Sequence, residues 1–167
     1  QVIYQKGYYD GEAVTESTII TSKQYSLVSK MAFDIYAVNH DLDTLKVCQQ
    51  LDPITYYGMN ILDYLVGNTD RHPENWGFLI DNESNQYISL YPVMDFNQSF
   101  LAYDTIEGAG CQTVEKRGVS QREAAIAAVR EIGLRQKCEV DLNIFEDWTA
   151  EREMFQRRLD ELKAAQR

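Results

Sequence analysis

Asp70, Asn75 and Asp95 supply a carboxylate, an amide and a second carboxylate. They sit in the runs Gly67-Asn68-Thr69-Asp70-Arg71-His72-Pro73-Glu74-Asn75-Trp76-Gly77 and Met94-Asp95-Phe96-Asn97. Four residues separate Asp70 from Asn75. Phosphoryl transfer asks a protein mainly for positioning and charge neutralisation. An aspartate beside an acceptor hydroxyl can orient it and take its proton, while an amide oxygen and a second carboxylate can fix Mg²⁺ against phosphate oxygens. The three residue types fit those tasks in that order. The competing explanation is ordinary turn and cap chemistry, for which Asp and Asn are common choices.

The elements around these residues give a reason for them to converge. Asp52 is a good N-cap and Pro53 fits the first helical turn, where its missing N–H has no intrahelical partner to lose. Ile54, Tyr57, Gly58, Ile61, Leu62 and Leu65 recur at helical spacing as one apolar stripe, and Gly67 is a natural stop. The helix therefore delivers Asp70 into a loop just beyond an anchored end. Trp76, Phe78 and Ile80 then alternate with Gly77, Leu79 and Asp81, the run Asp81 to Asn85 turns the chain, and Tyr87, Ile88 and Leu90 run back. A hairpin of this kind carries the residues just after its second strand, among them Asp95, toward Asn75.

Further out the pattern is mostly helical. The opening stretch, Gln1 to Val28, reads as short extended pieces and turns broken by Gly7 and Gly11. Met31, Phe33, Ile35, Tyr36 and Val38 suit a helix, as does Asp43 to Leu51 with Leu45, Val47 and Cys48 on its apolar side. Ser120-Gln121-Arg122-Glu123 is a capping box before an alanine-rich run that ends at Gly133. A last helix, about Asp147 to Ala165, places Trp148, Phe155, Leu159 and Leu162 on one side, with Glu153 and Arg157 at a supportive spacing. The expected architecture is mainly α with a small β-hairpin region.

Composition narrows the class. The chain has 167 residues, 44% of them hydrophobic and 25% charged, which suits one packed domain. A formal net charge of −10 argues against a broad nucleic-acid surface, since that binding relies on clustered Lys and Arg. No apolar run is long enough to span a bilayer and the first ten residues lack a signal-peptide pattern, so the expected setting is intracellular, without membrane attachment. Cys48, Cys111 and Cys138 are odd in number and irregular in spacing, which suits buried thiols in a reducing cytoplasm. Trp76 and Phe96 read as core packing rather than a base-stacking platform, and Asp41 with Asp43 as a turn and helix start rather than a calcium loop. His40 reads as a surface or helix-end residue.

The strings Gly67 to Trp76 and Val93-Met94-Asp95-Phe96 resemble the HipA-like serine/threonine kinases, a family named for a bacterial persistence toxin. Asp70-Arg71-His72 followed by Asn75 also resembles the catalytic loop of phosphoinositide kinases. The asparagine before the aspartate, the long hairpin and the helical tail favour the HipA-like side. The likeness covers about Asp52 to Phe100 and departs from the usual protein-kinase order, with Asp-Arg-His in place of His-Arg-Asp and Asn97 where a glycine commonly follows Asp-Phe. It implies a kinase-like C-terminal lobe that uses ATP and Mg²⁺, with Asp70 as general base, Asn75 and Asp95 as Mg²⁺ ligands, and His72 bracing the loop.

Other parts of such an enzyme are not recognisable. There is no Gly-x-Gly-x-x-Gly run or Walker motif, and neither Lys6 nor Lys23 sits in a pattern that marks a phosphate-holding lysine. The sequence thus reads as a C-terminal lobe, with residues 1–28 as hinge or edge of an N-terminal lobe that is absent, and the start at Gln1 suits a fragment. One expectation is a kinase acting on a protein Ser or Thr once that lobe completes it, with the lobe or an antitoxin-like protein as the expected partner. The isolated chain would then bind ATP weakly. The alternative is a non-catalytic kinase-like lobe that serves as a binding or regulatory module.

Overall fold

A computed structural model describes residues 4–101, 105–134 and 140–166. Cys138 lies outside the described residues. Tyr4–Tyr9 (β1) and Glu12–Ser17 (β2) form an antiparallel hairpin around Asp10 and Gly11, both at positive φ. Tyr25–Ser29 (β3), Gly77–Asp81 (β4) and Gln86–Leu90 (β5) form a second antiparallel sheet in the order β3-β4-β5. Residues 25–28 therefore belong to a sheet of the main body. Among the described residues there are five α-helices, Lys30–Asn39 (α1), Thr44–Leu51 (α2), Pro53–Val66 (α3), Gln121–Ile132 (α4) and Thr149–Ala165 (α5), with a short 3-10 turn at Leu142–Phe145. Helix makes up 42% and strand 19%, so the class is mixed α/β, with more sheet than the mainly α architecture with one hairpin that the sequence suggests.

The added strand is β3. Its residues are too short and too mixed in polarity to declare a period, and its pairing partner β4 lies some fifty positions away, so only the tertiary fold identifies it. Gly77 makes the pairing possible. A Cβ at Gly77 would stand 2.1 Å from the Val28 carbonyl oxygen, so no other residue type fits where β3 passes into α1.

α3 begins and ends as its sequence dictates. The Asp52 carboxylate accepts from Thr55 N–H at 3.0 Å, and its other oxygen accepts from Leu90 N–H at 3.3 Å, so one cap also ties down the end of β5. Gly67 closes the helix in the left-handed region at φ +62°. The buried face, however, is rotated from the stripe read in the sequence. Ile54 is 55% exposed, whereas Tyr56, Met59, Asn60, Asp63 and Tyr64 are buried with Ile61 and Leu65. The physical reason is that α3 is covered on more than one side, and no single apolar arc describes it.

α3 runs through two apolar clusters. Its first half packs with Phe33 of α1, Cys48 of α2, Phe78 and Leu90 of the three-stranded sheet, and Trp76 and Tyr91 that flank its strands. Its second half, Ile61 to Leu65, packs with Ala125, Ala128 and Val129 of α4 and Phe155, Leu159 and Leu162 of α5. The capping box at Ser120 and Glu123 is present as read. Trp148 departs from expectation: it precedes α5 and is 62% exposed, because the helix starts only after it and turns it away from the cluster. In α1 only Phe33 of the expected apolar residues is buried, joined by Ala37, while Met31, Ile35, Tyr36 and Val38 face outward.

Candidate functional site

The loop that follows α3 is held by its own polar side chains. Asn68 Nδ2 donates to Asp63 Oδ1 at 3.0 Å, and Asn68 Oδ1 accepts from Asp70 N–H at 3.3 Å. His72 Nδ1 accepts from Glu74 N–H at 3.2 Å and the His72 carbonyl accepts from Asn75 N–H at 2.9 Å, a turn-stabilising arrangement. With Nδ1 accepting, the ring proton sits on Nε2, which lies 3.9 Å from Asp70 Oδ1. The Asp70 carboxylate is 41% exposed.

Asn75 is buried, and its Nδ2 donates to the Asp70 carbonyl at 2.9 Å. That bond fixes the amide and leaves Oδ1 as its acceptor face. The hairpin β4–β5 then returns the chain: Tyr91 N–H donates to the Gly77 carbonyl at 3.0 Å and the Tyr91 hydroxyl donates to the Glu74 carbonyl at 3.1 Å. Burial pushes the Tyr91 hydroxyl up to about 12, with the nearby Arg71 charge opposing the shift, so it remains a donor throughout the neutral range. Asp95 follows at φ +58°, a left-handed conformation that Asp tolerates better than most side chains.

Arg71 closes the arrangement. Its side chain is 2% exposed and makes a two-pronged ion pair with Asp63 on α3, Nε to Oδ2 and Nη2 to Oδ1 each at 2.9 Å. Its Nη1 donates to the Asn75 carbonyl at 3.3 Å and to the Met94 carbonyl at 2.5 Å. Phe96 lies against the guanidinium at 4.9 Å. One nitrogen therefore bridges the Asn75 backbone and the peptide that leads into Asp95. Neither Asp63 nor Arg71 stands out as a site residue in the sequence. The available signal was a lone carboxylate inside an otherwise apolar or neutral helix, eight positions before the loop's arginine.

Asp95 also lines a cavity of about 650 Å³ together with Tyr4, Leu62, Val66, Phe96 and Phe100, and its N–H approaches the Tyr4 hydroxyl at 3.5 Å. Hairpin β1–β2 thus reaches the edge of the site. Among the described residues, no cluster of three or more His, Cys, Asp and Glu side chains is placed to hold a metal ion alone. Asp95 and Asn75 each offer side-chain oxygen, the donor type Mg²⁺ takes along with waters and substrate phosphates, but Asn75 and Asp70 are not among the residues lining the cavity that holds Asp95. Lys6 rests near the Tyr8 ring at 5.9 Å, on the outlying hairpin, and Lys30 pairs with Asp34 at 2.6 Å.

Trp76 and Phe96 have the packing role read for them: Trp76 is buried in the first cluster and Phe96 packs against it. Asp43 caps α2 through Lys46 N–H at 3.1 Å, and His40 ends α1, stacked on Tyr36 at 3.9 Å. Cys48 is buried and Cys111 half-buried, both as free thiols. Comparison with known proteins gives no match: no family model, no curated protein and no solved structure matches the chain.

Proposed function

We propose that the chain is the C-terminal lobe of an ATP- and Mg²⁺-dependent protein serine/threonine kinase of the HipA-like type. Asp70 acts as general base, and Asn75 and Asp95 hold the metal. The observation that most supports this reading is the Arg71 bridge, in which a single Nη1 binds the carbonyls of Asn75 and Met94. The backbones of two segments nearly twenty positions apart, one carrying Asn75 and the other leading into Asp95, are thereby tied to one buried anchor. Bound Mg²⁺ would supply charge neutralisation on the phosphate oxygens.

The chain's own residues have separate tasks in this scheme. Asp70, exposed and held at its backbone by Asn68, orients the acceptor hydroxyl and takes its proton. Asn75 offers Oδ1 because Nδ2 is bound to the Asp70 carbonyl, so metal holding and base placement share one loop. Exposure of the base and burial of the amide suit an acceptor that arrives from solvent and a metal held against the protein.

The test is phosphoryl transfer from Mg²⁺-ATP to Ser- and Thr-containing proteins by the chain joined to a nucleotide-holding lobe, with mass spectrometry of the products. Asp95→Ala is expected to abolish productive metal–nucleotide binding. Asp70→Asn is expected to spare binding and depress turnover about a hundredfold or more, the scale of a lost general base. Full activity in Asp70→Asn would overturn the base assignment. Unchanged Mg²⁺ dependence in Asp95→Ala would overturn the metal assignment.

A further inference from the structure

Asp63 stands at the start of two hydrogen-bonded paths that reach all three candidate site residues. Through Arg71, its carboxylate is connected to the carbonyls of Asn75 and Met94, the latter joined directly to Asp95. Through Asn68, the same Oδ1 is connected to the backbone N–H of Asp70. The Asn68 carbonyl also accepts from Gln121 Nε2 of α4, which secures the second path from the opposite side. Asp63 is 5% exposed and projects from the last turn of α3.

A buried ion pair is a poor way to gain stability, because removing two charges from water offsets most of their attraction. An apolar pair of similar volume would fill the same space. What it would lack is direction: the guanidinium offers donors in a fixed planar fork, and the carboxylate offers two oxygens that can serve Arg71 and Asn68 together. The pair is also neutral as a unit, so it orders oxygen ligands nearby without adding net positive charge beside a cation.

We propose that Asp63 is the positioning residue of the site, registering Asp70 through Asn68 and registering Asn75 and Asp95 through Arg71. The coupling of the three segments stands on the hydrogen bonds alone. Its consequence for metal holding rests on the function proposed above.

The two paths predict different variants. Asp63→Leu combined with Arg71→Met replaces the ion pair by an apolar pair and keeps the volume filled, so the fold is expected to survive. Amide hydrogen exchange followed by NMR should then rise about tenfold or more at Asp70, Asn75 and Asp95 together, while Phe78 and Val129, one in each apolar cluster, keep wild-type protection. Arg71→Lys retains the charge but not the fork. It should loosen Asn75 and Asp95 and leave Asp70 protected, because the Asn68 path remains.

Equal protection at the three positions in the double variant would overturn the proposal, as would a uniform rise that includes Phe78 and Val129. Titration of the same samples with Mn²⁺ keeps the metal reading separate. Selective broadening at Asn75 and Asp95 in the wild type, lost in the double variant, is the expected result. Absence of broadening in the wild type, with the exchange pattern intact, would remove the metal-holding reading and leave the positioning role standing.

Discussion

Asp95 combines a backbone demand with a chemical one, and the two can be separated. At φ +58° the position favours Asp, Asn or Gly, whose side chains tolerate or lack the clash with the neighbouring carbonyl. Asp95→Asn is therefore expected to hold stability within about 0.5 kcal/mol by urea denaturation, while Asp95→Val costs about 1–2 kcal/mol. Under the function proposed above, both variants should lose Mg²⁺-dependent phosphoryl transfer. Asp70, Asn75 and Asp95 could be singled out as candidates from sequence because chemistry restricts residue type. Asp63 and Arg71 could not, since a carboxylate within a helix and an arginine in a loop are ordinary until a fold places them 2.9 Å apart.

At the scale of elements, local signals served well where the physics was local. The Asp52 cap, the Gly67 stop and the Ser120 box each concern atoms a few residues apart, and each formed as written. Burial was harder to read. The expected stripe of α3 misassigned Ile54, and Trp148 lies outside its helix, because which face is covered depends on partners distant in sequence. Strand β3 shows the same limit, and Gly77 is its sharpest test. Gly77→Ala would force a methyl group against the Val28 carbonyl, with an expected loss of about 1–3 kcal/mol in chemical denaturation and displacement of β3 from β4. A Gly110→Ala change, where a Cβ meets nothing within 4 Å, is the matched control and should cost far less.

Across the whole molecule, the first apolar cluster makes stability sensitive to alkali. Burial pushes the Cys48 thiol from 9.0 up to about 12, so the native state holds it protonated where the unfolded chain releases the proton. This contribution is complete below pH 9.0 and is lost progressively as pH rises toward about 12. Urea denaturation along that range should show stability falling with pH, and Cys48→Ala, although less stable at neutral pH from the space it leaves, should show a shallower decline. Tyr91 and Tyr64, each raised to about 12 by burial, add slopes of the same sign in both proteins.

α3 has one more consequence. Because a single helix lends its first half to one cluster and its second half to the other, neither half of the molecule can melt and leave its neighbour with an intact wall. Partial unfolding has no natural resting point along this helix. The helix that leads into the loop of Asp70 and Asn75 is thus also the spine that makes the two clusters come apart together on denaturation.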